Sequence, residues 1–169
     1  MVANFILQTQ KHIRYFLIYR YMKRLFLFLT LCSAQAHAQS AEDSVRATIN
    51  RLFDGMRRGD SAAIRAAFVP GAQLQTILVG RDGKTRIESE PIDSFVAAVG
   101  RPHKEIWDER IMFEPVRIDG PMAQAWTPYQ FYAGDKFSHC GVDAYILARV
   151  GGEWKIQYLV DTRRRTGCQ

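Results

Sequence analysis

Three runs in residues 126–168 decide the fold: W-T-P-Y-Q-F-Y from Trp126, H-C-G-V-D-A-Y-I-L-A from His139, and W-K-I-Q-Y-L-V-D-T-R-R-R from Trp154, closed by T-G-C at Cys168. In each, aromatic and β-branched residues alternate with polar ones, as in strands with one buried face. Gly134-Asp135 and Gly151-Gly152 join them, and links this short imply antiparallel neighbours. His139, Cys140, Asp143, Asp161 and Arg163 lie among these runs as the densest group of reactive side chains in the sequence.

Outward from this core, residues 106–118 read as a further strand, linked through Asp119-Gly120 to the run from Met122. Residues 74–79 and 84–88 form a hairpin around Asp82-Gly83. Helices precede the strands. Val45, Ile49, Leu52, Phe53 and Met56 recur at the helical period over 42–58, with Gly59 as the stop. Asp60 caps a second helix whose side carries Ala63, Ile64, Ala67 and Phe68 and which ends at Pro70-Gly71. Pro91 opens a third, closed by Gly100 and Pro102. The expectation is an α+β domain, with three helices toward the N-terminal side packed in a curved antiparallel sheet of about six strands.

The N-terminus reads as a targeting segment. Lys23-Arg24, the apolar run Leu25 to Leu31 and Ala36-His37-Ala38 follow the order of a secretory signal, with cleavage after Ala38. The run is shorter than the about 20 apolar residues that span a bilayer, so no stable membrane anchor is expected. Residues 1–38 then comprise an extension plus a signal proper at 22–38, with Met22 a candidate start, and 39–169 form one domain that is exported, periplasmic or secreted. Removing 1–38 takes away Lys11, Arg14, Arg20, Lys23 and Arg24 and no acid, so the net charge falls from +6 to +1. Nucleic-acid binding thereby loses its electrostatic basis. Cys140 and Cys168 remain, an even pair expected to be bonded in an oxidising compartment, with two free buried thiols as the alternative. A bond would close a 28-residue loop, worth roughly 3.5 kcal/mol in chain entropy. No second Cys or His stands at a ligand spacing from His103 or His139, and no cofactor motif occurs, so neither metal nor cofactor is expected.

The element order and several motifs together resemble the nuclear transport factor 2-like superfamily, and within it the exported SnoaL-like and lumazine-binding-type proteins. The motifs are Gly59-Asp60-Ser61, Trp126 with Pro128-Tyr129, His139-Cys140-Gly141-Val142-Asp143, Trp154-Lys155-Ile156 and Asp161-Thr162-Arg163-Arg164. The resemblance covers about residues 42–168. It implies a cone-shaped fold with a pocket at its open end and often a homodimer through the sheet. It does not fix the chemistry, since the superfamily includes isomerases, cyclases, dehydratases and binding domains.

With Gly151-Gly152 as a two-residue turn, Leu147 faces Ile156, Tyr145 faces Tyr158, Asp143 faces Val160, His139 faces Arg164, and Cys140 opposes Arg163. His139 and Asp143 share a face but stand roughly 13 Å apart along a strand, so each would act with partners from other strands. His139 is a candidate general base or a satisfied histidine beside a disulfide; Asp143 is a candidate base or an arginine partner. Asp161 and Arg163 read as an ion pair or strand-end cap. Trp126, Tyr129, Tyr132, Tyr145, Tyr158 and Arg164 are candidate ligand contacts for a small apolar or aromatic molecule. Two functions follow: a non-catalytic exported binding domain, or a cofactor-free SnoaL-like isomerase, cyclase or dehydratase using Asp143 or His139 as base. N-terminal sequencing of exported protein is expected to begin at Gln39; an intact N-terminus found solely on a cytoplasmic pool would reject export.

Overall fold

Helix α1 covers residues 41–58 in the computed structural model, which describes residues 41–168. The segment read as a signal, with Met22 and Ala38, lies outside the described residues. The stripe Val45, Ile49, Leu52, Phe53 and Met56 is buried, as the 3.6-residue period dictates. Thr48, on the same face, donates to the Trp154 carbonyl at 3.1 Å and docks the helix on the sheet. Gly59, at φ 63°, ends the helix, and the Asp60 carboxylate accepts from the Ala63 amide at 2.9 Å to cap α2 (Ser61–Ala67). Phe68 does not complete the apolar side of α2. It opens strand β1 (Phe68–Val79), because Pro70 disfavours a helical residue before it.

The remaining elements are β2 (Thr85–Pro91), α3 (Ile92–Val99), β3 (Trp107–Ile111), β4 (Arg117–Asp119), β5 (Met122–Ala133), β6 (Lys136–Val150) and β7 (Glu153–Thr162). The seven strands form one sheet in the order β2-β1-β7-β6-β5-β3, with β4 also paired to β5. Two expectations are corrected. The sheet is mixed, because β7 inserts between β6 and β1 and runs parallel to β1. The strand expected over 106–118 is two strands, interrupted before Pro115, whose missing N–H cannot continue a ladder.

The β6–β7 register decides what lines the interior. Gly151 and Gly152, at φ 60° and 86°, make the tight turn, and Leu147 pairs with Ile156 as expected. Beyond that point Ile146 pairs with Tyr158, so Gln157 is an extra residue, a β-bulge. The pairings expected for Tyr145, Asp143, His139 and Cys140 are therefore each off by one. Tyr145 opposes Leu159, Asp143 opposes Asp161, and the isolated bridge joins Cys140 to Arg164. Trp154 and Ile156 are buried before the bulge, and Leu159 and Asp161 after it.

The core between α1, α2, α3 and the sheet includes the fully buried Ile49, Ile64, Val99, Leu147 and Ile156. Truncating one of the larger of these to Ala would cost about 2–5 kcal/mol. Cys140 and Cys168 are bonded, with Cα atoms 5.9 Å apart, and Cys140 and Arg164 exchange backbone hydrogen bonds of 2.9 Å each way. Together these pin the tail to β6. Thiol titration of unfolded, unreduced protein that begins at Gln39, and so lacks Cys32, is expected to find no free thiol, and Cys168→Ser should lower unfolding stability by about 2–4 kcal/mol in urea melts.

Candidate functional site

The inward-facing row that the bulge creates lines a cavity of about 360 Å³ between the sheet and helices α1 and α3. Leu52, Phe53 and Met56 of α1, Phe95 and Ala98 of α3, and Leu74 and Leu159 supply apolar wall. Trp107, Phe131 and His139 form an aromatic side. The His139 and Phe131 rings stack at 5.0 Å between centroids, and Trp107 meets Phe131 edge-on at 6.4 Å. Polar groups gather along one part of the wall: Glu109, Asp143, Asp161 and Arg163, with Glu90 from β2.

Three carboxylates dominate the chemistry. Asp143 and Asp161 are buried and directly opposed across β6 and β7, a pairing that repels when both are ionised. Asp161 is compensated by donors: Thr76 Oγ1 at 2.6 Å, the Tyr129 hydroxyl at 3.1 Å and Arg163 Nε at 2.7 Å. Asp143 accepts from Thr127 Oγ1 at 3.2 Å and from the Tyr145 hydroxyl at 3.1 Å, both on Oδ2. Burial, then the charge of Asp161, raises the Asp143 pKa to about 7. Glu109, from β3, is hydrogen-bonded to Asp143. Burial first, then the charges of Asp143 and Asp161, hold its carboxyl well above the usual range, which favours the protonated form that donates a hydrogen bond to Asp143.

His139 is held below its ordinary pKa, by burial first and then by Arg163, and is neutral at pH 7. Its Nδ1 contacts Ser138 Oγ at 3.1 Å. Tyr129 reaches Asp161 by crossing β6 at Gly141. A Cβ there would lie 2.8 Å from Tyr129 Cε1 and 1.7 Å from the Thr162 carbonyl oxygen, so any larger residue would displace the ring. Burial, then neighbouring carboxylates, raises the pKa of Tyr129 and of Tyr145, which keeps both hydroxyls as donors.

Of the residues singled out in the sequence, His139 and Asp143 line the cavity, and so do Asp161 and Arg163, which pair as expected. Tyr129 and Tyr145 stand behind the wall as carboxylate donors. Tyr158 and Arg164, turned outward by the bulge, lie away from the cavity, with the Tyr158 hydroxyl on Gln75 at 2.6 Å. Trp126 is 44% exposed on the outer face, and Tyr132 packs there under the Arg110 guanidinium at 4.1 Å. Glu109 was missed. Its signal was the alternation Trp107, Glu109, Ile111, which puts an acid between two apolar residues on a strand's inner face.

A carboxyl whose folded-state pKa lies above its ordinary 3.8 binds more protons folded than unfolded, so its contribution to stability is greatest at low pH and is lost as pH rises. The stability difference between wild type and Asp143→Asn is accordingly expected to shift by at least about 1 kcal/mol against wild type between pH 4.5 and 7.5, as urea unfolding would show. A difference independent of pH would mean that Asp143 is not raised.

Residues 40–158 match the family described as "Putative lumazine-binding". Among solved structures, a nuclear transport factor 2-like protein with a cystatin-like fold from Novosphingobium aromaticivorans is 13% identical, with a TM-score of 0.64 over 82% of this chain and 92% of its own. A conserved protein from Planctomyces limnophilus is 20% identical, with a TM-score of 0.60 over 75% of this chain and 98% of its own. A nuclear transport factor 2-like protein of unknown function from Shewanella baltica is 17% identical, with a TM-score of 0.58 over 75% and 96%. No curated protein matches the chain. Identities this low establish the fold and leave the chemistry to the residues. The family match over most of the domain means that this chain belongs to the "Putative lumazine-binding" family, and its architecture is similar to that of the nuclear transport factor 2-like structures.

Proposed function

We propose that this is an exported domain that binds a small, flat, largely apolar molecule in its central cavity. The cavity carries the reading. Its volume of about 360 Å³ lies within the roughly 300–1,000 Å³ of small-molecule sites, with an apolar and aromatic lining and a few polar groups on one part of the wall. The family description names a flat heteroaromatic ligand, which suits the Trp107, Phe131 and His139 side. Export is supported by the signal-type order before Gln39 and by the Cys140–Cys168 bond. A homodimer through the outer sheet face belongs to the same proposal, supported by the exposed Met112 and Trp126, which line one groove there with Val142.

A second reading is proton transfer on a carbonyl or cyclic substrate. It is favoured by Asp143, brought to about pH 7 in its proton affinity beside a proton-holding Glu109, a pairing suited to a general base and acid near neutrality. In that reading Tyr129 and Tyr145 orient the carboxylates, because their hydroxyls already point at them.

Native mass spectrometry of protein purified from its own host is expected to show a non-covalent small-molecule adduct that denaturation releases. Asp143→Asn should weaken rebinding of the released molecule tenfold or more. An apo mass alone, from several growth conditions, would count against the binding reading. If turnover of the released molecule is found, its rate should fall about 10² to 10⁴-fold in Asp143→Asn.

A further inference from the structure

We propose that the cavity selects a flat nitrogen cation, such as an amidinium or a protonated N-heterocycle, over neutral or anionic molecules of the same shape; this rests on the binding reading above. The argument is one of charge balance against a low-polarity wall. The groups facing Asp143 from the surrounding elements are Glu109 of β3, Thr127 of β5, Tyr145 of β6 and Asp161 of β7, with Tyr129 and Arg163 on Asp161. The half-exposed Arg163 is the one cationic side chain among the lining residues, and Asp161 holds it at 2.7 Å. The Glu109 carboxyl is held well above its ordinary range and the His139 imidazole below its own, so each favours its neutral form. What is left without a counter-ion is the buried Asp143 carboxylate, whose partners are the neutral Thr127 and Tyr145 hydroxyls and the Glu109 carboxyl, with Glu90 adding further negative charge to the lining. A buried charge of this kind is costly until a partner of opposite sign arrives.

The aromatic side strengthens the same preference. The stacked Phe131 and His139 rings and the adjoining Trp107 line the same cavity as Asp143, so a flat cation can meet a ring face and a carboxylate together. Ring faces attract cations and offer an anion nothing. An anionic ligand would face Asp143 and Glu90 with Arg163 already engaged, and like charges brought together out of water are strongly disfavoured. The preference depends on Asp143 being ionised, so it fades as pH falls below about 7. Protonation of His139 at lower pH acts in the same direction, adding positive charge to the wall.

The test is isothermal titration calorimetry of the disulfide-bonded protein with three probes of one shape: benzamidine (cation), benzyl alcohol (neutral) and benzoate (anion). At pH 8 benzamidine should bind at least tenfold more tightly than either of the others. Its affinity should fall at least tenfold at pH 5.5, and Asp143→Asn, checked for folding by circular dichroism, should abolish the preference. If benzyl alcohol or benzoate binds wild type as tightly as benzamidine at pH 8, the charge inference is overturned and the binding reading stands. Retention of the full preference in folded Asp143→Asn also overturns it. Should no probe of any charge bind at millimolar concentration, the binding reading falls with it. The wild-type probe series and its pH dependence decide the matter even if the variant does not fold.

Discussion

A single extra residue in β7 decides which side chains this protein can use. Side chains along a strand alternate strictly, so Trp154 and Ile156 facing the helices would send Tyr158, Val160 and Thr162 inward after them. The bulge at Gln157 breaks that sequence and turns Leu159, Asp161 and Arg163 inward instead. Near the hairpin the sheet packs a core; past the bulge the same sheet carries acids and a base. The change from core to site is therefore a change of strand phase at one position.

That phase change brings Asp161 opposite Asp143, and much of the surrounding sequence serves to make the pairing tolerable. Two ionised carboxylates facing each other in an apolar interior would repel and lose their hydration. Thr76, Tyr129 and Arg163 bond one, and Thr127, Tyr145 and a proton-bearing Glu109 bond the other. Gly141 belongs to this arrangement as much as any acid, since only a residue without a side chain lets the Tyr129 ring cross β6 to reach Asp161. Asp143, with two neutral hydroxyls and a neutral acid around it, is left ionisable near neutral pH and open to whatever enters the cavity.

The tail adds a covalent constraint. Arg163 follows β7 directly, and the residues after it are held by the Cys140–Arg164 bridge and the Cys140–Cys168 bond. The guanidinium is therefore kept close to the cavity by β6 and the disulfide, although it is half exposed itself.

The sequence by itself determined the elements and their class. The helical stripe of α1, the Asp60 cap and the glycine turns are local signals, set by periodicity, capping and φ, and need no knowledge of distant residues. Pairing of Cys140 with Cys168 is the expectation that cysteine count gives, with free thiols as the alternative, and the fold meets it by bringing their Cα atoms to 5.9 Å. His139 and Asp143 could be placed on one face because period-2 alternation within a single strand is also local. Only the tertiary structure decided the parallel β1–β7 pairing, the bulge at Gln157 and the arrival of Glu109 at Asp143. Each depends on how strands far apart in sequence share hydrogen bonds, and a one-residue slip that no local pattern marks is enough to exchange Tyr158 and Arg164 for Asp161 and Arg163 as the residues facing the cavity.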